Sequence, residues 1–177
     1  MFELTQSFII SQIVVAIAMV FDFASLQFRA RKNIFLCLAI SVSLISLHYF
    51  LLGKTAAGWI CVVSVARFVI SAFSNNKNYI FIFLILNALT LIFTYKEIYD
   101  LVFFCGISIF IVGNFQSKDK PMRLLMISGT ALVLFYNIII LSPMGIVVEG
   151  NFLASNLLGY FRYHIKKQKP PKIITPV

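Results

Sequence analysis

The chain alternates between long apolar stretches and short polar or basic segments, a pattern that predicts a bundle of membrane-spanning helices. Each apolar stretch has close to the ~20 residues that an α-helix needs to cross the hydrocarbon core of a bilayer. Polar turns, prolines and glycines separate these stretches. The predicted spans cover about residues 7–25, 33–52, 55–73, 79–95, 98–115, 124–141 and 144–164.

Composition excludes an ordinary soluble domain. Of the 177 residues, 60% are apolar and 12% are charged, and the mean hydropathy is +0.95. Soluble domains carry about 25% charged residues. The length suits one domain over residues 1–177. Cys37, Cys61 and Cys105 lie singly in apolar runs without metal-ligand spacing, so we expect buried hydrophobic side chains, with no metal site and no cofactor.

The net charge of +9 predicts a membrane orientation rather than nucleic-acid binding. Twelve Lys and Arg residues lie in the turns between spans 1 and 2, 3 and 4, and 5 and 6 and in the stretch from Arg162 onward, and two lie in the turns on the opposite side. The positive-inside rule then places the N-terminus outside and the C-terminus in the cytoplasm, which requires an odd number of spans. Without a basic segment at its start, the N-terminal region is typical of an uncleaved first span.

Polar residues recur at one offset and predict an internal repeat. A shift of 89 residues carries His48 onto Asn137 and Arg67 onto Asn156. Residues 7–73 would then repeat as residues 98–164, with a linker helix at 79–95. Because each unit has three spans, the linker lets both units cross in the same direction. The predicted fold is an all-α membrane protein of two parallel three-helix bundles.

Helical spacing places the polar residues of three spans on single faces. Such residues either form hydrogen bonds between helices or line a polar path through the bundle. The faces comprise Ser41 and His48 on span 2, Ser64, Arg67 and Ser71 on span 3, and Glu149, Asn156 and Tyr160 on span 7.

Two groups of candidate site residues follow from these faces. Binding of a small solute is assigned to Asn156, Arg67, Ser64, Asn137 and His48. Gating or proton coupling is assigned to Asp22, Glu149 and His48. Arg67 and Asp22 are expected to form a salt bridge, either as a structural pair or as an inner gate.

The sequence resembles the bacterial inner-membrane YgjV family over nearly its whole length. The resemblance rests on HYFLLG at 48–53, Ala57-Gly58, Arg67, EGNFL at 149–153, Asn156 and Arg162. That family is grouped with SWEET sugar facilitators, PnuC vitamin transporters and PQ-loop proteins. This implies the inner membrane and a SWEET-like arrangement of seven helices. In SWEET-like proteins an asparagine on the third helix of each bundle faces the substrate, and Asn156 matches the second.

The chain departs from those relatives in three respects. Ser64 and Arg67 stand where the first bundle would carry its asparagine. The Pro-Gln motif is missing, since spans 1, 2, 3 and 5 contain no proline, and Trp59 is the single tryptophan, so the paired tryptophans of PnuC are absent. The proline hinge of those relatives is therefore not reproduced.

Two functions remain open on the sequence, and a third is not expected. The first is a transporter or facilitator of a small polar solute, with Arg67 favouring an anionic or carboxylate-bearing one. The alternative is a non-transporting membrane protein that binds a metabolite or lipid and regulates a partner. An enzyme is not expected, because no nucleophile, metal or hydrolase motif is present. The bilayer and a small solute are the expected partners, and the oligomeric state, including a homo-oligomer, stays open.

Overall fold

The computed structural model describes residues 6–25, 28, 30–74, 76–116, 119–161 and 165. Every regular element among them is helical. The helices are α1 (Gln6–Ser25), α2 (Arg31–Leu51), α3 (Thr55–Phe73), α4 (Tyr79–Thr94), α5 (Ile98–Asn114), α6 (Asp119–Ile139) and α7 (Pro143–Tyr160). The predicted helical fold class is confirmed. The basic tail beyond residue 165, with Arg29, Lys118 and Arg162, which also contribute to the predicted orientation, lies outside the described residues.

Helix boundaries follow the predicted spans closely. The bounds of α3 are those predicted, and α1, α4 and α5 differ from prediction by one residue at an end. The largest difference is at α6, which begins at Asp119, five residues before the predicted start. Pro121 then lies in the first turn, where backbone N–H groups have no partner within the helix, so the helix tolerates a proline there. The predicted end of span 7 at residues 162–164 lies outside the described residues.

Within the described part of the chain, four helices are long and apolar enough to cross a membrane by length and composition. These are α1, α2, α3 and α6. Helices α4 and α5 are apolar but shorter, with 16 and 17 residues. Helix α7 has 18 residues but carries Glu149 and two asparagines. The apolar side chains that face outward suit a lipid environment, since Phe93 is 83% exposed and Ile92 is 71% exposed.

The helices pack as two neighbouring groups. Helix α2 packs against both α1 and α3, and α6 packs against both α5 and α7. Helix α4 contacts α3 and α5, while α1 contacts α7 and α3 contacts α5 across the groups. An aromatic core formed by Tyr49, Phe83, Phe103 and Tyr136 lies at their centre, with Tyr136 at 0% exposure. Ring centroids of Tyr136 and Phe103 lie 4.8 Å apart.

The turns that precede α3 and α7 have the same backbone hydrogen bonds. The N–H of Gly53 donates to the Phe50 carbonyl, and the N–H of Leu141 donates to the Ile138 carbonyl. Both turn residues have positive φ, 72° at Gly53 and 54° at Leu141. These positions are 88 residues apart, as are Tyr49 and Asn137. The two turns are therefore spaced by 88 residues, one fewer than the predicted repeat offset of 89.

Candidate functional site

The predicted polar faces of α2 and α3 are buried. Exposed fractions are 5% for Ser64, 3% for Arg67 and 7% for Ser71. Ser41 and His48 on α2 are at 0% and 1%. The exposed side chains of these helices are largely apolar, such as Leu47 and Trp59, so the polar residues point into the bundle, as expected when the surroundings are hydrocarbon.

His48 holds three helices together through both ring nitrogens. Its Nδ1 lies 3.0 Å from the Ser11 carbonyl of α1, and its Nε2 lies 3.0 Å from the Ser142 hydroxyl. A carbonyl only accepts, so Nδ1 carries the proton and Nε2 accepts from Ser142. The Ser142 oxygen also accepts from the N–H of Gly145 at 3.2 Å and so caps α7.

Asn137 forms the second contact between the helix groups. Its Oδ1 accepts from the Tyr49 hydroxyl at 3.3 Å, while its Nδ2 donates to the Val133 carbonyl at 3.0 Å. Gly145 of α7 leaves room for this amide, because a Cβ at that position would overlap the Asn137 side chain. The close approach of α6 and α7 therefore depends on glycine at residue 145.

A small cavity lies where these contacts meet. Side chains of α1, α2, α6 and α7 line it, namely Val15, Ile45, His48, Tyr49, Asn137, Gly145, Val148 and Glu149. Its volume is about 10 Å³, which is close to the space that one water molecule needs. Predicted site residues His48, Asn137 and Glu149 thus meet at one place.

Glu149 is partly buried in this cavity wall, and none of the other residues that line the cavity is Lys or Arg. Among the described residues, the ion pair within bonding distance is Lys54 with Glu97, at 3.4 Å. Asp22 lies on α1, a helix that packs against α7, but it is not among the residues that line the cavity.

Arg67 is buried without an ionic partner. Its Nε and Nη1 atoms have no hydrogen-bond partner, and its guanidinium lies 4.5 Å from the centroid of the Phe68 ring. The expected salt bridge with Asp22 is not formed, so that prediction is wrong for this conformation. Helical periodicity places both residues on inner faces, but the rotation and spacing of α1 and α3 decide whether the side chains meet.

The remaining candidates lie away from the cavity. Asn156 is partly exposed, and its Nδ2 donates to the Phe152 carbonyl of its own helix at 2.9 Å. Ser64 is buried one turn before Arg67 on α3. Metal binding has no structural support, since no group of three His, Cys, Asp or Glu side chains in the described part of the chain is arranged for an ion.

Sequence reasoning missed Tyr49, Ser142 and Gly145. Ser142 precedes Pro143, and a Ser-Pro pair after an apolar run is a signal for a helix N-cap and first turn. Tyr49 would have been found by an offset of 88 residues rather than 89. Gly145 carried no local signal, because its importance comes from the Asn137 side chain of another helix.

Comparison with known protein families places the chain in one of them. The model of a family described as Imp-YgjV, bacterial inner membrane protein, matches residues 9–167. The chain belongs to this family. Searches of curated proteins and of solved structures gave no match. The expected YgjV membership and membrane localisation are confirmed, and the Imp-YgjV match includes all the residues that line the cavity.

Proposed function

We propose that this Imp-YgjV protein is a transporter or facilitator that moves a small polar solute between its two helix groups. The observation that carries the proposal is the cavity at their contact, to which α1, α2, α6 and α7 all contribute. Helices α1–α3 and α5–α7 act as two parallel, SWEET-like bundles, and α4 is the linker. All seven helices cross the inner membrane, with the N-terminus outside.

Transport requires the cavity to open. At about 10 Å³ it has room for about one water molecule, so the described conformation corresponds to a closed state. His48 and Asn137 hold α1, α2, α6 and α7 together in that state. Opening separates these contacts, exposes Glu149 to water and connects the cavity with the buried Arg67 and Ser64 and with Asn156 of α7. Asp22 and Glu149 are the gating carboxylates, and Glu149 is the site of any proton coupling.

The pairing of Ser142 with His48 does not make the protein an enzyme. The hydroxyl lies at hydrogen-bond distance from a ring nitrogen, as in a nucleophile and its base. Both side chains are nevertheless at most 1% exposed, and the hydroxyl is already engaged as a helix cap. We assign the pair to holding α2 against the start of α7.

Flux into proteoliposomes tests the proposal. A panel of labelled small polar solutes is screened with the wild type, with Glu149→Gln and with Ser128→Ala, whose side chain is exposed on α6. We expect saturable flux of at least one solute in the wild type and in Ser128→Ala, and a strong reduction in Glu149→Gln. Flux that Glu149→Gln leaves unchanged would place the path elsewhere.

The small cavity also favours a second candidate, a membrane protein that binds a metabolite or lipid without transporting it. A site with room for one water suits a closed receptor. Such a protein would show ligand-dependent thermal stabilisation, because a ligand that binds the native state raises apparent stability. It would show no flux of that ligand under any gradient.

A further inference from the structure

Helix α7 carries polar side chains on its outward face as well as on its inner one. The inner face packs against α6 and α1 and includes Gly145 and Glu149. Helical spacing turns Asn151 about 160° away from Glu149, and both Asn151 and Ser155 are exposed. Asn151 is the ninth of the 18 residues of α7, about 12 Å from its start, so it lies near the middle of the helix.

The Asn151 amide has no partner within the described chain. Its side chain makes no hydrogen bond to any other described residue. An exposed hydroxyl can donate to its own helix, as Thr90 on α4 does to the Leu86 carbonyl at 2.7 Å. An unpaired amide in hydrocarbon is costly, because no water replaces the missing partner. When α7 crosses the bilayer, this face therefore needs a polar partner that the described chain does not supply.

The residues around Asn151 form a seam for another helix. Successive seam positions are four, three and four residues apart, and all are exposed, namely Val147, Asn151, Ala154 and Leu158. This is the spacing of the contact positions in a left-handed pair of helices. The small side chain of Ala154 lets two helices approach closely in a membrane. The outward face of α7 thus has the pattern of a helix contact.

A second copy of this chain fits the seam because asparagine is self-complementary. Its amide carries an acceptor oxygen and two donor hydrogens, so two such groups can pair with each other. All copies insert with the same orientation, and a twofold axis along the membrane normal makes their α7 helices parallel. Residues of equal depth then meet, so Asn151 faces Asn151 of the partner subunit. A single asparagine in an apolar seam also fixes the register of two parallel helices.

We propose that α7 is the interface of a parallel homodimer, in which the Asn151 amides of the two subunits hydrogen-bond to each other. The inference goes beyond transport and rests only on that part of the proposed function in which α7 crosses the membrane. Glu149 and the cavity lie on the other side of α7, so each subunit keeps its own cavity.

Disulfide cross-linking at two adjacent positions tests the seam. Leu158 belongs to it and is 56% exposed, whereas Leu157 is 48% exposed but points about 100° away. In isolated membranes treated with an oxidant, Leu158→Cys should form covalent dimers, and Leu157→Cys should stay at the wild-type level. The wild-type chain supplies the background from its own cysteines, Cys37, Cys61 and Cys105. Equal cross-linking of the two variants would overturn the proposal.

Association in liposomes measures the contribution of the amide. Energy transfer between labelled copies gives the dimer fraction as the protein is diluted in lipid. Asn151→Leu should raise the dissociation constant about threefold to twentyfold, the range that hydrogen bonds between membrane helices produce. Asn151→Gln keeps an amide and should retain most of the association. Ser128→Ala, on the exposed face of α6, should match the wild type.

These measurements separate the dimer from the proposed function. A wild type that is monomeric at every dilution, or an Asn151→Leu variant that associates as the wild type does, overturns the dimer. A monomer with solute flux supports transport alone, and a dimer without flux supports the interface alone. A complex with a different membrane protein, formed while the purified chain stays monomeric, would give α7 another partner and overturn the proposal.

Discussion

At the scale of single residues, the bundle is held by a few polar contacts whose partners lie on different helices. The His48 ring joins Ser11 of α1 with Ser142 at the start of α7. The Tyr49 hydroxyl donates to Asn137 of α6. Apolar contact between helices has little advantage over contact with lipid, so such hydrogen bonds and close packing decide which helices meet.

Gly145 and Gly150 provide a matched pair of substitutions on α7. A Cβ at Gly145 would overlap Asn137, whereas nothing lies within 4 Å of a Cβ at Gly150. We expect Gly145→Ala to destabilise the protein by about 1–3 kcal/mol through overpacking. Gly150→Ala should stabilise it by about 0.5–1 kcal/mol because alanine loses less entropy in a helix. Thermal unfolding in detergent measures both, and equal shifts would contradict the close approach.

The His48–Ser142 bond can be measured by a double-mutant cycle. Ser142→Ala removes the N-cap of α7, at a cost of about 1–2 kcal/mol, and leaves Nε2 of His48 without a donor. His48→Leu removes the other partner. We expect the two effects to deviate from additivity by about 0.5–3 kcal/mol in thermal or denaturant unfolding. Strict additivity would show that the two side chains do not interact.

At the scale of elements, the turns between α2 and α3 and between α6 and α7 share one backbone conformation. Each contains a residue of positive φ at the same place, but one is Gly53 and the other is Leu141. A left-handed conformation costs a residue with a Cβ about 1–2 kcal/mol, and glycine avoids that cost. The second turn therefore carries strain that the first does not.

Exchanging the residue types of these turns should change stability in opposite directions. Leu141→Gly is expected to stabilise the protein by about 1 kcal/mol, and Gly53→Ala is expected to destabilise it by a similar amount. Leu141 is 50% exposed, so little packing is lost on its removal. Melting temperatures of the two variants provide the measurement. A loss of stability in Leu141→Gly would show that the leucine side chain contributes more than its backbone costs.

At the scale of the whole molecule, a polar contact links the helix groups beyond the aromatic core. Lys54 Nζ lies 2.6 Å from the Tyr99 hydroxyl and 3.4 Å from Glu97 Oε2. Glu97 and Asp100 form a capping box at the start of α5. The turn that precedes α3 is thereby tied to the first turn of α5, on the side of the molecule that the charge distribution predicts to be outside.

The predicted orientation can be tested by labelling in intact cells. Glu97 and Lys77 are both exposed and lie at opposite ends of α4. With a membrane-impermeant maleimide, Glu97→Cys should react, and Lys77→Cys should react only after the cells are opened. The wild-type chain supplies the background from Cys37, Cys61 and Cys105. The opposite labelling pattern would reverse the orientation.

The sequence by itself determined the helices, their boundaries and the inner faces of α2 and α3. These features depend on local periodicity, and in a membrane the inner face of an apolar helix is the favourable place for a polar side chain. The tertiary structure alone decided which polar groups meet. It brought His48, Asn137 and Glu149 to one cavity and left Arg67 apart from Asp22. The physical reason is that a periodic pattern defines a face, whereas a hydrogen bond or ion pair requires the rotation, spacing and register of two helices together.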